Sequence, residues 1–308
     1  VFEGSMVLAI EYQRPVSYAA YWSRRLALFG LFLFLLSLLL HRFGPLTTPH
    51  FLAIAALSAT LSFVAVLLAA IGLVRLWMVG AKGGKAAFLA LLLSILPLGA
   101  AGAAGYAYFY RPAIFDVTTD TLDAPPWLKF PLAKQDWLPR PDYATARDRE
   151  LQLAAYPGLT GRRYDGALDR VYQGVRKVAE ENDIVITEES GLENILVDLE
   201  DLAVDRSGKE PQSDEIGEVP IPLQRPSPLP SADGIGRSAD VLMQGEWRTL
   251  IAGFRFDVMI RLREEAETTL VDIRVASRYG PHDLGMGAAF AEAYLKALDA
   301  ELLGIAGD

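Results

Sequence analysis

Cysteine does not occur in this chain, so disulfides, thiolate metal sites and cysteine nucleophiles are excluded from the start. Histidine is nearly as scarce: His41 and His50 sit among apolar runs, and only His282 lies in polar sequence. Acidic residues are almost missing from the first 110 positions, which hold Glu3 and Glu11 against seven Lys and Arg, a balance of +5. The whole chain carries −9, so the remainder carries −14. An acidic soluble part is a poor partner for phosphate backbones, which argues against nucleic-acid binding. Also missing are a P-loop, an EF-hand loop and zinc-ligand spacing. The Gly285-Met286-Gly287 run falls short of a dinucleotide fingerprint, and Ser277 lacks a nucleophile-elbow context. His282 has no nucleophile spaced to use it. No cofactor is implied.

What is present divides the chain in two. Val1–Ser5 precede Met6 and read as an appended remnant ahead of the natural start. Residues up to 25 mix Tyr12, Tyr18, Tyr21 and Trp22 with Arg14, Arg24 and Arg25, an interfacial composition. Three apolar runs then predict membrane-spanning helices over about 26–43, 51–74 and 86–110. Neither the second nor the third run contains Asp, Glu, Lys or His near its middle, which disfavours an ion or proton path. In the third run, Gly99, Gly102 and Gly105 read as positions for close helix packing, and Pro97 as the site of a kink. The loop at 75–85 holds Arg75, Lys82 and Lys85, and the 41–50 loop only Arg42. The positive-inside rule then predicts a bacterial inner-membrane protein, N-terminus cytoplasmic and everything after Tyr110 periplasmic.

The polar remainder, residues 111–308, predicts an extracytoplasmic α+β domain whose antiparallel sheet is covered by helices. Its clearest signal is a hairpin. Residues 253–262 and 271–278 alternate strictly, with Phe254, Phe256, Val258, Ile260 and Leu262 on one face and Arg255, Asp257 and Arg261 on the other. Keeping apolar opposite apolar requires paired numbers to sum to an odd value, which sets Arg261 near Asp272 and Asp257 near Arg274. Helices are expected from about Gly166 to Glu181 and from Asp283, as cap, to about Leu303. Short strands are expected over 183–188, 194–199 and 242–251. The stretch from 111 to Pro157 reads as irregular, and the Pro-rich residues 205–238 as a flexible insertion.

Asp116-Val117-Thr118-Thr119-Asp120, Pro125-Pro126, Ala155-Tyr156-Pro157, GFRFDVMIR at 253–261 and VDIRVASRYGPHDLG at 271–285 together resemble the domain-of-unknown-function 1499 (DUF1499) family. The resemblance runs over 111–303, and the apolar first third is similar to membrane-anchored, envelope-facing members from alphaproteobacteria. The chain departs at Arg255-Phe256-Asp257, where the family usually has an acidic pair after Gly-Phe, and at Met286-Gly287, where Asn and Arg commonly follow Asp-Leu-Gly. The family implies a fold and a compartment, with no established reaction.

The candidate site gathers these polar residues. Asp120, Asp257, Arg274 and Asp283 are the catalytic candidates, carboxylates for acid–base work and Arg274 as an anion clamp. Asp116, Thr118, Thr119, Arg261, Asp272 and Arg278 are the binding candidates. The competing reading is a face of cross-strand ion pairs, an ordinary way to stabilise a sheet. The sequence thus points to a non-enzymatic membrane-anchored protein whose periplasmic domain binds a partner protein, lipid or envelope component. The alternatives are an envelope hydrolase or transferase acting on an anionic substrate, and an accessory subunit of a membrane complex. The lipid bilayer is the first expected partner, and another membrane or envelope protein the second.

Overall fold

The structure, a computed structural model, describes residues 15–131, 133–195, 240–265 and 268–304. Val1–Ser5, the 205–238 insertion and residues 196–199 of the strand expected at 194–199 lie outside the described residues. The chain forms two compact units. The first comprises residues up to Arg111 with 135–139 and 249–254, and the second comprises 112–134, 140–248 and the chain from Arg255 on.

The first unit is built on three helices, α1 (Tyr18–Phe43), α2 (Thr48–Val79) and α3 (Gly84–Tyr110). Each is long and apolar enough to cross a membrane, at 26, 32 and 27 residues. The first starts earlier than expected. Nothing between Val16 and Phe43 breaks a helix, so Tyr18–Arg25 form its opening turns instead of a separate interfacial segment. Pro49 sits in the first turn of α2, where its missing N–H costs nothing, and Gly80 ends that helix in the left-handed region at φ 60°.

Small residues set the helix spacing. Ala20, Ala27, Ala65, Ala69, Ala87 and Ala90 are buried, and Ser58 Oγ donates to the Gly30 carbonyl at 2.7 Å. A Cβ on Gly72 would fall 2.8 Å from that of Ala20. The glycines expected to pack closely do not: space around Gly99, Gly102 and Gly105 is open. The close approaches lie between α1 and α2, where the sequence has single glycines and no repeat to announce them. At one end, Ser17 N donates to Lys82 O and Lys82 N to Pro15 O, so the chain entering α1 joins the α2–α3 connection.

At the other end of α1 lies the 249–254 turn. His41 Nδ1 is 2.6 Å from Ala252 O, its Nε2 is 3.0 Å from Thr48 Oγ1, and its ring stacks on Phe51 at 4.5 Å. Phe254 closes this aromatic group, 5.9 Å from Phe51. It therefore does not continue the apolar face of the hairpin as the alternation suggested. Gly253, at φ 76°, and a turn closed by Thr249 N to Phe254 O place Phe254 ahead of the strand.

The second unit holds β1 (Asp116–Thr118), α4 (Ala146–Ala155), β2 (Arg162–Asp165), α5 (Leu168–Glu181), β3 (Val185–Ser190), β4 (Val241–Arg248), β5 (Arg255–Glu265), β6 (Thr268–Ser277) and α6 (Met286–Leu303). The sheet is antiparallel, in the order β1-β6-β5-β4-β3, with β2 also on β6 beyond β1. Arg261 lies opposite Asp272, as the register rule requires. Asp257 lies opposite Ala276 and Arg274 opposite Met259, so the expected Asp257–Arg274 pair does not form. Parity restricts the register to alternate residues; it does not choose a partner for each charge.

One sheet face carries Phe256, Val258, Ile260, Leu262, Val271, Ile273 and Val275, all buried. Burial of such side chains stabilises by roughly 1.5–3 kcal/mol each. Helices α5 and α6 cover this face through Val171, Val175 and Val178 and through Phe290, Tyr294, Leu295 and Leu298. Trp247 stacks on Phe290 at 3.9 Å, and Tyr294 Oη donates to Val175 O at 3.0 Å. These side chains fill the layer between sheet and helices, which counts against a lipid-holding cavity there.

Three sequence expectations change. The stretch before Pro157 contains β1 and α4, the latter opened by a capping box of Thr145 and Asp148. Asn194 and Ile195, expected in a strand, lie in a helical turn closed by bonds to Gly191 O and Leu192 O. The strand expected to reach Ile251 ends at Arg248.

Candidate functional site

The second sheet face is also buried, because residues 119–131 cross it as a strap. Along that face three arginines, Arg261, Arg274 and Arg278, each hold one or more carboxylates. Arg261, 1% exposed, donates from Nη2 to Asp272 Oδ2 at 2.8 Å and to Asp120 Oδ2 at 2.9 Å, and from Nη1 to Asp123 Oδ2 at 2.9 Å. Thr119 Oγ1 donates to Asp272 Oδ1 at 2.9 Å and accepts from Ile273 N, and Thr119 N donates to Ile273 O, joining strap to strand. Arg263 adds a second cation to Asp123 and bonds Asp240.

The middle arginine is Arg274. Its Nε and Nη2 clamp Asp116, with Nη2 to Oδ2 at 2.6 Å, while Nη1 donates to Pro125 O at 2.8 Å. Trp127 lies over the guanidinium, 4.8 Å from ring centroid to Cζ, so the strap's Pro-Pro-Trp turn is a lid on this one side chain. Arg149 of α4 reaches Asp116 from the other side, at 3.5 Å. Gln152 donates to Thr118 O and accepts from Thr118 N, and Arg149 donates to Asp116 O. Helix side chains thus satisfy both outward-facing backbone groups of Thr118 and the Asp116 carbonyl.

The third arginine, Arg278, bonds Asp257 and, at 2.8 Å, Glu246. Arg140 lies 3.5 Å from Asp257, donates to Ser277 O and sits between the rings of Phe115 and Phe130. Burial lowers the Arg140 pKa, against the pull of Asp257 and Asp116. Burial also works against the Arg278 charge, but Asp257 and Glu246 outweigh it and raise its pKa. For Glu246, burial is outweighed by the bond to Arg278, which holds the carboxyl below its ordinary range.

Beside this pair opens a cavity of about 260 Å³, bounded by Lys129, Phe130, Thr187, Glu188, Glu246 and Asp257 among others. It sits where β3 bulges between Ile186 and Glu188, which lets Thr187 Oγ1 donate to Gln244 O. The Gln244 side chain spans the gap to the strap, accepting from Lys129 N and donating to Lys129 O. Lys129 and Glu188 meet at the rim, 3.7 Å apart.

Most of the sequence-derived constellation therefore lies on one face, in three neighbouring clusters. Asp116 and Arg274 form one with Thr118 beside them; Asp120, Thr119, Arg261 and Asp272 form another; Asp257 and Arg278 form the third. Asp283 stands apart. Its carboxylate accepts from Gly285 N and Gly287 N at the start of α6, and burial raises its pKa despite those bonds. Ser277 Oγ donates to Tyr279 O, and His282 Nδ1 accepts from Leu284 N, so both serve the turn. Among the described residues no group of three His, Asp or Glu could hold a metal ion.

Asp123, Arg140, Arg149, Glu246 and the two glutamines escaped the sequence reading. The Thr145-x-x-Asp148 spacing was a legible sign of α4, and hence of Arg149 and Gln152 on it. Nothing local marks Asp123 or Arg140, whose partners are 138 and 117 positions away.

No curated protein and no solved structure matches the chain. Residues 212–298 match the model of a family described as protein of unknown function (DUF1499), a span that takes in β4, β5, β6 and most of α6 and starts well after the Asp116–Asp120 motif. The stretch with the strongest alternation and the Gly-rich turn after it lie within the span that matches this family model.

Proposed function

We propose that this is a membrane-anchored binding protein of the bacterial envelope rather than an enzyme. Its three helices hold it in the inner membrane, N-terminus cytoplasmic, and the α+β unit works in the periplasm. The Arg and Lys bias of the 75–85 loop supports this orientation, and the apolar first third resembles membrane-anchored, envelope-facing proteins of alphaproteobacteria.

One observation carries the choice of binding over catalysis. Asp120 and Asp257 each already accept from an arginine guanidinium, and Asp283 accepts from two backbone amides at the start of α6, so the candidate acid–base carboxylates are committed to structure. An accessible polar feature among the described residues is the cavity at the bulged strand β3, with Glu188 and Lys129 at its mouth and Phe130 as an apolar wall. A partner protein or envelope component with its own charged group is the fitting occupant, and the filled layer under α5 and α6 argues against lipid carriage.

The test is purification of the full chain from native membranes in mild detergent, as wild type and with the rim charges reversed (Lys129→Glu, Glu188→Arg). A stoichiometric companion that is lost on reversal while the melting temperature holds is the expected result. A wild-type chain that emerges alone, or a companion indifferent to the rim, overturns the binding reading. Reporter fusions after residue 82 and after residue 303 test the orientation, and a cytoplasmic signal from the latter would reverse it.

A further inference from the structure

The 249–254 turn belongs to the helical unit, and its tip is apolar and bare. Leu250 is 79% exposed and Ile251 75% exposed. Two adjacent large aliphatic side chains at a turn tip are costly in water, where most turns carry polar residues. Their position is fixed by bonds to the last turn of α1. Arg42 Nε donates to Leu250 O at 3.1 Å, and His41 Nδ1 lies 2.6 Å from Ala252 O. The approach is close as well as bonded, since a Cβ on Gly253 would fall 3.1 Å from the Arg42 Cα. The tip therefore stands level with the end of a helix long enough to span a membrane.

Other exposed apolar groups share that level. Phe43, the final residue of α1, is 81% exposed with the Arg42 guanidinium 5.5 Å from its ring centroid. Trp137 is 58% exposed on a segment held to the start of α2 by Asp136 and His50 at 3.8 Å. Aromatic rings next to an Arg are the usual composition of a membrane–water boundary.

We infer that Leu250 and Ile251 insert into the boundary between headgroups and acyl chains of the leaflet where α1 ends. The occupant of this apolar surface is lipid, because the tip is bonded to the last turn of a helix long enough to span a membrane and stands level with its exposed Phe43. The turn between β4 and β5 is then a fourth point of membrane attachment, one that a count of apolar runs does not register. This rests on the reading of α1–α3 as spans.

The chain has no Cys, so single Cys variants can be labelled cleanly. Ile251→Cys, Leu250→Cys, Phe32→Cys in mid-α1 and Val185→Cys on β3 would each carry a nitrobenzoxadiazole fluorophore. The full chain would be placed one copy per phosphatidylcholine nanodisc, with nitroxide lipids labelled near the headgroup or deep in the chain. The expected result is a blue-shifted label at 251 and 250 that loses most of its emission to the shallow nitroxide, with Val185 quenched by aqueous iodide instead. A label at 32 quenched by the deep nitroxide while 251 and 250 stay open to iodide overturns the inference and leaves the anchor standing. Failure of quenching at 32 overturns the anchor itself. Protection at 251 and 250 from both quenchers would place the tip against protein and also overturn the inference.

Discussion

Arg261 lies directly across the β5–β6 ladder from Asp272, and its Nη2 donates to Asp272 Oδ2 at 2.8 Å with both side chains almost wholly out of solvent. Asp272→Ala would leave that guanidinium buried beside Asp120 and Asp123, which are more exposed partners. A loss of about 3 kcal/mol in unfolding free energy is expected, as for a buried pair broken from one side. Replacing both residues together, Arg261→Met with Asp272→Leu, should recover most of it. Chemical denaturation of the full chain in detergent measures both, and equal losses from single and double variants would deny the pairing its structural role.

Arg274→Lys separates a scaffold from a substrate clamp. Lysine keeps the charge but cannot hold Asp116 through two nitrogens, reach Pro125 O and lie flat under Trp127 at once. A loss of roughly 2 kcal/mol is expected, with Trp127 fluorescence shifting as the strap loosens. An unchanged melting temperature would return Arg274 to the list of functional residues.

Asp283 gives a pH signature. Burial raises its folded-state pKa above the ordinary 3.8, so between those two values the folded chain binds more protons than the unfolded one. Its contribution to stability therefore grows as pH falls from neutral through the folded pKa, and is complete below 3.8. Glu246, held low by Arg278, contributes in the opposite sense, losing its stabilisation as pH falls through its folded pKa. Asp283→Asn should remove only the first effect. The difference in melting temperature between wild type and Asp283→Asn, followed across pH, should move in favour of wild type on acidification; a constant difference would sink the assignment.

Two helix glycines make a matched pair. Gly72→Leu must push α2 off Ala20 and is expected to cost about 1–3 kcal/mol. Gly102→Leu meets nothing within 4 Å and should leave the isolated chain's melting temperature unchanged. Thermal unfolding in detergent compares them directly. Damage from Gly102→Leu comparable to that from Gly72→Leu would show that α3 is packed against something there.

These residues also show what the sequence could and could not tell. Period-two alternation made the β5–β6 hairpin and the Arg261–Asp272 pair legible, because pairing parity is a local property. Asp257 found Arg278 and Arg140, and Arg274 found Asp116, because those choices depend on how β1, the turn after β6 and the segment around Arg140 are brought together in space. Apolar runs announced the three helices, whereas the glycines that bring α1 and α2 together are isolated and carry no pattern. Phe254 kept the alternation of β5 in sequence but left it in space, since Gly253 turns the chain just before the strand begins.

The contacts of Gln152 with β1 have a consequence for how the protein avoids its own kind. A three-residue border strand exposes a donor and acceptors that a neighbouring chain could copy. Here one amide side chain occupies both groups of Thr118, and Arg149 occupies the Asp116 carbonyl. With those groups satisfied from within the chain by Gln152 and Arg149, this border strand offers fewer free backbone groups for a neighbouring copy to extend.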